Sequence, residues 1–195
     1  MGDKVVSGFF EESSRLLLEC SRKDSSILHE IAKQVISCFE RGNKLLLFGN
    51  GGSASQAQHF AAEFVNKLVS YRKALPAIAL TTDTSILTSI GNDLDFSEIF
   101  SRQVEALGKE GDVVWGISTS GNSPNVIKAF NVAKKAGLLT ICFTGEEGSE
   151  LSSIADISLN VPSKNTVRIQ EVHLCSGHAV CELVEAHFLQ KVDKG

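Results

Sequence analysis

The sequence predicts an α/β fold of the flavodoxin-like or Rossmann-like kind. Five short apolar runs alternate along the chain with longer stretches whose apolar residues recur at helical spacing. Strands that are apolar throughout are typical of parallel sheets buried on both faces, and the helices between them supply the crossovers that parallel strands require. We therefore expect a three-layer αβα sandwich with a five-stranded parallel sheet, preceded by N-terminal helices. No linker, repeat or low-complexity segment interrupts the chain, so residues 1–195 are expected to form one domain.

The elements follow in order from these patterns. Residues 1–41 are expected to form two helices, because apolar residues recur at helical spacing up to the stop at Gly42-Asn43, namely Ile27, Leu28, Ile31, Val35, Ile36 and Phe39. Residues 42–195 then supply the αβα core, with strands expected at 44–48, 77–80, 112–118, 138–144 and 156–161. Helices are expected from Ser53 to about Val69, on either side of Gly91-Asn92, from Pro124 with Ser123 as cap to Gly137, and from about Thr166 to Lys191.

Composition argues against several classes of partner. The net charge is −4, and the basic residues form no stripe or tail of the kind that binds nucleic acid or an anionic membrane. No apolar stretch is long enough to span a membrane, and the first residues lack the pattern of a signal peptide, so we expect a cytoplasmic protein. The five cysteines form no C-x-x-C pair, and we expect reduced, mostly packed thiols without a catalytic role.

Two loops are placed to bind a ligand, because open parallel sheets bind ligands beyond the carboxyl ends of their strands. The first is the glycine loop, residues 49–53, whose letters GNGGSA fit the G-x-G-x-x-[G/A] pattern of dinucleotide-binding loops. Such a site also needs an acid about 20 residues further on, at the end of the next strand. Here the next strand run ends at Asp83, more than 30 residues beyond Gly49. The spacing therefore disfavours a dinucleotide.

The second loop is the serine loop, residues 118–123, which crowds hydroxyl groups at the start of a predicted helix. Backbone N–H groups and the helix dipole favour an anion there, and the hydroxyls could complete the hydrogen bonds of a phosphate. No Walker lysine follows, so a nucleoside triphosphate is not indicated. On these residues alone, a polar turn with an ordinary serine cap is an equal alternative.

Four polar residues occupy positions where packed helices would carry apolar ones. His59 and Glu63 are four residues apart, so both lie on one face of their helix and can converge on one metal or substrate atom. Such pairs are also common on solvated faces. Gln170 and His178 are eight residues apart, about 80° around the axis of the last helix, so both could border one cleft. His173 is about 140° from His178 and cannot fully share it.

Four stretches together resemble the sugar isomerase (SIS) domain family, and its phosphoheptose isomerase branch in particular: GNGGSASQAQHFAAE, ALTTDTSILTSIGND, EALGKEGDVVWGISTSGNSPNVIKA and RIQEVHLCSGHAVCELVE. The resemblance covers about residues 40 to 187, in the family order. It implies that the serine loop holds the sugar phosphate through Ser118, Thr119, Ser120 and Ser123. It also implies that the sugar is lined by Asn50, Gly51, Gly52, Ser53, Asn92 and Asp93.

The resemblance further implies the isomerisation of sedoheptulose 7-phosphate to D-glycero-D-manno-heptose 7-phosphate through an ene-diol, the first step towards nucleotide-activated heptose. Glu63 matches the general base of the family and His178 its acid/base partner. Zinc, one ion per subunit, would be held by His59, Glu63, Gln170 and His178, and Gln170 would also contact substrate. Imidazole and carboxylate suit zinc, whereas a glutamine carbonyl is an uncommon ligand.

The family resemblance also implies a homotetramer with sites between subunits, to which the N-terminal helices would contribute. Two positions depart from the family pattern: Val167 stands where some members have an aspartate that contacts substrate, and Leu94-Asp95 stands where an aromatic residue and a glycine often follow. A non-catalytic SIS protein that binds the replication initiator is the alternative. Its branch lacks acid–base residues at the positions of Glu63 and His178, so their presence here favours the isomerase.

Overall fold

A five-stranded parallel sheet with strand order β2-β1-β3-β4-β5 forms the centre of the protein. The computed structural model describes residues 2–146 and 148–192, without the side chains of 191 and 192. The other five residues, which the expected domain 1–195 includes, lie outside the described part. The strands are β1 (Leu45–Gly49), β2 (Ala77–Ala79), β3 (Val113–Ser118), β4 (Leu139–Thr144) and β5 (Ile157–Asn160). All four strand pairings are parallel, as expected.

Eight α-helices flank or precede this sheet within the described residues. They are α1 (Gly2–Lys23), α2 (Ser25–Glu40), α3 (Gly52–Val65), α4 (Thr84–Asp93), α5 (Ser101–Leu107), α6 (Pro124–Lys135), α7 (Glu150–Ile154) and α8 (Thr166–Val192). Helices α2, α3 and α8 pack on one sheet face against residues such as Leu47 and Trp115. Helices α5, α6 and α7 pack on the other, against residues such as Phe48 and Val114. The expected αβα sandwich is confirmed.

The N-terminal helices join the rest of the chain in two ways. Helix α2 contributes Ile31 and Val35 to the core on the α3 and α8 face of the sheet. Helix α1 instead packs through Leu16 and Cys20 against the first turns of α8. Among the residues that the structure describes, no helix has the length and hydropathy needed to cross a membrane.

Two helix boundaries and one additional helix differ from the sequence expectations. Helix α3 ends at Val65 rather than near Val69, because the buried carboxylate of Glu185 accepts the backbone N–H groups of residues 68–70 and draws that segment out of the helix. Helix α4 runs through Gly91-Asn92 and ends at Asp93, so the glycine does not divide two helices. Helix α7 was not anticipated, since five residues are too few to show a helical period.

Candidate active site

The glycine loop and the serine loop lie side by side at the carboxyl edge of the sheet. Their strands β1 and β3 are neighbours, with Gly49 opposite Ile117. The chain order reverses between these two strands, which is where open parallel sheets bind ligands. A cavity of about 440 Å³ is lined by residues of both loops, including Asn50 and Ser123, and by Lys128. The two loops are therefore placed to share one ligand.

Three hydroxyls gather in the serine loop. The Ser118 Oγ atom lies 2.9 Å from Ser123 Oγ and 3.5 Å from Ser120 Oγ. Ser123 is the N-cap residue of α6, as expected, but its side chain makes no capping hydrogen bond. That part of the prediction is wrong because the Asn125 Oδ1 atom accepts the Val126 N–H that a cap would bind. The hydroxyl of Ser123 is thereby left in the cluster at the N-terminus of α6, an arrangement suited to a phosphate.

Thr119 and Ser120 also border a second space. They line a cavity of about 360 Å³ together with Lys164 and Glu146, whose charged groups are 3.6 Å apart. The serine loop turns at Gly121, which has a φ angle of +63°. A side chain there would be strained and would overlap Ser149.

Helices α3 and α8 bring three potential metal ligands together. His59 Nε2 lies 2.8 Å from His178 Nε2 and 3.4 Å from Glu63 Oε1. One ligand atom from each of the three side chains fits within 4.8 Å of the other two. The Glu63 side chain is only 15% exposed, whereas that of His59 is 46% exposed, so the cluster is reachable from solvent on the His59 side.

A glycine permits this meeting of the two helices. A methyl group on Gly177 would overlap the ring of Phe60, the residue next to His59. The absence of a side chain lets α8 approach α3 closely enough for His178, the next residue, to reach His59. Sequence reasoning missed Gly177, since a single glycine inside a helical pattern is the only signal it leaves.

Gln170 lies beside the glycine loop of its own chain rather than in the histidine cluster, which consists of His59, Glu63 and His178. It precedes His178 by eight residues, about 12 Å along the axis of α8. A methyl group on Gly52 would lie 2.6 Å from its side-chain nitrogen. Its backbone carbonyl accepts a hydrogen bond of 2.7 Å from Gln56 Nε2. Gln170 is thus placed to contact a ligand in that loop.

The remaining expected sugar contacts are exposed except for Ser53. Asn92 and Asp93 are the last two residues of α4, where the Asn92 amide donates a 2.8 Å hydrogen bond to Asp93 Oδ1. Gly51 and Gly52 are also exposed, and Ser53 is buried in the first turn of α3. Val167, at the departure from the family pattern, is half exposed near the start of α8.

His173 has no place in the candidate site. It is fully buried against Phe143, and its Nε2 lies 3.0 Å from the carbonyl oxygen of Thr144. Burial lowers the pKa of this imidazole from its usual 6.5 to about 4. At neutral pH the ring is therefore neutral and donates its Nε2 proton to the carbonyl.

The chemistry of the cluster fits zinc. Two imidazole nitrogens and one carboxylate form the three-ligand set of catalytic zinc sites, in which the fourth position stays open for water or substrate. The ligand atoms of His59, Glu63 and His178 also lie close enough together for one small ion to contact all three. The cluster is the only such group of histidine, cysteine, aspartate or glutamate side chains among the described residues.

Comparison with known proteins identifies the family of the chain. The SIS domain family model matches residues 8–145. The phosphoheptose isomerase of Desulfovibrio desulfuricans is 47% identical over 188 residues, which cover 96% of this chain and 90% of the relative. That of Thermodesulfovibrio yellowstonii is 53% identical, with 94% and 90% covered. The solved phosphoheptose isomerase of Neisseria gonorrhoeae is 43% identical and superposes with a TM-score of 0.89, covering 94% of this chain and 99% of that one.

These similarities extend over nearly the whole chain and include both the sheet and the helices that carry the site. The family expected from the four sequence motifs is thereby confirmed. The chain belongs to the phosphoheptose isomerase branch of the SIS domain family and is an isomerase.

Proposed function

We propose that this enzyme interconverts sedoheptulose 7-phosphate and D-glycero-D-manno-heptose 7-phosphate. The observation that carries the proposal is the convergence of Glu63 with His59 and His178 on the family scaffold. Aldose–ketose isomerisation needs a base that moves a proton between C1 and C2, and a second group that serves the two oxygens. The family relatives carry the name phosphoheptose isomerase, which supplies the class of substrate.

In the proposed mechanism Glu63 is the base and His178 the acid. The Glu63 carboxylate removes a proton from C1 of the ketose, the electrons of that C–H bond form the C1–C2 double bond, and His178 gives a proton to the C2 oxygen. In the second half, the C1 hydroxyl returns a proton to His178 and the C1 carbonyl forms. The same electron movement lets C2 take a proton from Glu63, which restores both side chains.

We propose that the phosphate binds in the serine loop and the sugar beside the glycine loop. The gathered hydroxyls at the N-terminus of α6 support the first assignment, and the cavity lined by both loops supports the second. The full set of proposed substrate contacts is Asn50, Gly51, Gly52, Ser53, Glu63, Asn92, Asp93, Ser118, Thr119, Ser120, Ser123 and Gln170.

Zinc would be held by His59, Glu63 and His178, and when bound it would polarise the substrate carbonyl or order the site. A role of Gln170 as fourth ligand stays a prediction, because its side chain lies against Gly52 in this chain. Metal analysis of His59→Ala and Gln170→Ala tests the two assignments separately. We expect His59→Ala to lose zinc, while His29→Ala, a substitution on the exposed side of α2, retains it. Zinc retained in full by His59→Ala would overturn the ligand set.

We further propose a single-domain protomer that assembles into a homotetramer with composite sites. Helix α3 leads away from the glycine loop, so Glu63 lies about 16 Å along the helix axis from Gly52. Within one chain, the two ligand loops are therefore distant from the histidine cluster. The histidine cluster of a second chain could instead lie next to these loops. Exposed apolar residues on α1 supply a surface for such assembly: Val5, Val6, Phe9, Phe10 and Leu18.

The deciding experiment is an isomerase assay on purified protein with sedoheptulose 7-phosphate, with and without a chelator. We expect aldose product by NMR, and a loss of rate with chelator that zinc reverses. A sample that is folded and zinc-loaded but forms no product would refute the proposed activity.

A further inference from the structure

The two ligand loops are joined by one pair of side-chain amides. Asn50 of the glycine loop donates to Asn125 Oδ1 at 2.9 Å, and Asn125 donates back to Asn50 Oδ1 at 2.8 Å. Asn125 is the second residue of α6, directly after the serine loop, and is only 2% exposed. The pair therefore bridges β1 and β3 at the point where the chain order of the sheet reverses.

The orientation of the pair is set from the Asn125 side. An amide can usually be turned by 180° with little change in shape, so its orientation must come from its partners. Here the backbone N–H of Val126 donates to Asn125 Oδ1 at 3.0 Å, which requires oxygen at that position. Asn125 must then present its NH₂ group to Asn50 Oδ1. The orientation of the Asn50 amide follows from that of Asn125.

Asn50 in turn controls the start of α3. Its backbone carbonyl accepts the N–H groups of Ser53 at 2.9 Å and Ala54 at 3.3 Å, which form the first turn of the helix. Moving Asn50 would move the glycine loop and this turn relative to the serine loop. A ligand held at one end by the serine loop would then meet the other contacts at the wrong distance.

We propose that Asn125 is a positioning residue, which acts through Asn50 to hold the glycine loop at a defined distance from the serine loop. The part of this inference that concerns turnover rests on the proposed function. A displacement of about 1 Å in a reacting group can lower the rate about 100-fold. Loss of Asn125 should therefore lower kcat more than it raises KM, since the serine loop still binds the phosphate.

Hydrogen exchange tests the positioning without any substrate. In Asn125→Ala, we expect the backbone amides of residues 51–54 to exchange at least about tenfold faster than in the wild type. The matched control is Asn43→Ala, which removes amide hydrogen bonds to Glu110 and Asp112 at the opposite, amino edge of the sheet. Unchanged exchange of residues 51–54 in Asn125→Ala, or an equal increase in both variants, would overturn the proposal.

A double-mutant cycle tests the catalytic consequence. If Asn125 acts through Asn50, adding Asn125→Ala to Asn50→Ala should change kcat by no more than about twofold. Asn125→Ala alone should lower kcat no further than Asn50→Ala does, because Asn50 is itself a proposed substrate contact. Asn125→Asp keeps the acceptor but loses the donor to Asn50, so its kcat should fall between that of Asn125→Ala and that of the wild type. Effects that multiply in the double variant would show an independent role for Asn125 and refute the coupling. If Asn125→Ala shows the faster exchange but the wild-type enzyme does not turn over heptose phosphate, only the proposed function is refuted.

Discussion

The carboxylate of Glu63 is largely shielded from water but can be reached from the side of His59. Its side chain is mostly buried, yet one oxygen faces the exposed imidazole of His59 at 3.4 Å. A base in such a position can receive a proton from a bound sugar while bulk water is largely kept away. His178 approaches the same imidazole from α8, so the proposed acid and the proposed base both lie next to His59.

Replacing Glu63 by glutamine keeps the shape of the side chain and removes its basicity. We expect kcat to fall by about 10²–10⁴-fold, the usual contribution of a general base, with a smaller change in KM. Steady-state kinetics with sedoheptulose 7-phosphate would measure both. Glu105→Gln, an exposed carboxylate paired with Arg102 on α5, is the matched control and should keep wild-type kinetics. A Glu63→Gln enzyme with normal kcat would require another base.

His173 makes stability depend on pH. Its pKa is about 4 in the folded protein and about 6.5 when unfolded, so between these values only the unfolded chain binds the proton. Stability from this residue is therefore complete above pH 6.5 and declines as the pH falls towards 4, by about 3 kcal/mol in total.

Urea unfolding at several pH values would measure this effect. We expect His173→Gln, which can still donate to the Thr144 carbonyl but does not titrate, to be less stable at neutral pH. Its free energy of unfolding should nevertheless fall less steeply between pH 6.5 and 4 than that of the wild type. Parallel slopes in the two proteins would show that His173 does not titrate in this way.

At the scale of elements, the site depends on how closely α3 and α8 pack. Phe60 lies on α3 between the ring of Trp115, stacked at 5.5 Å, and the small surface of Gly177. The Phe60 ring also lies 6.2 Å from the ring of His178. The packing of Phe60 thus sets the distance between the helices that carry the proposed base and acid.

Gly177→Ala should separate these helices. The added methyl group would overlap Phe60, and such overpacking typically costs about 1–3 kcal/mol. We expect a lower Tm together with weaker zinc binding, since His178 would move away from His59. Gly8→Ala on α1, where a methyl group meets no atom within 4 Å, is the control and should be neutral or stabilising. Normal zinc affinity in Gly177→Ala would show that the close approach is not required.

At the scale of the whole molecule, one protomer leaves features that assembly would explain. Helix α4 contains no buried residue along its described length, although it carries Asn92 and Asp93 at its end. Helix α1 exposes aromatic side chains, including 69% of Phe10. Surfaces of this kind on a folded chain are typical of contacts with another molecule.

Composite sites predict complementation between two inactive variants. Ser120→Asp would place a negative charge in the proposed phosphate site, and Glu63→Gln would remove the proposed base. If a site combines the loops of one chain with the cluster of another, co-refolded mixtures should regain up to about a quarter of wild-type activity, because some sites receive neither substitution. Mixtures of the two separately folded variants are the control. No recovery in mixed assemblies of confirmed composition would place each site within one chain.

The sequence alone predicted the architecture and the family of the protein. Short apolar runs such as 112–118 predict buried strands, because they alternate along the chain with stretches whose apolar residues recur at helical spacing. The motifs around His59, Glu63 and His178 indicated the family, which the comparisons confirmed. Strands, helices and family motifs can be predicted from the sequence because each depends on residues that are close together in the chain.

The tertiary structure decided which of these residues meet. His59 and His178 are 119 positions apart, and their contact depends on the close approach that Gly177 allows. The bond between Asn50 and Asn125 spans 75 positions and exists because β1 and β3 are neighbours. Helix α3 ended early for a similar reason, since its end is set by the carboxylate of Glu185 from α8. Contacts between distant segments leave no periodic signal in the sequence, and only the packing of the sheet and helices brings them about.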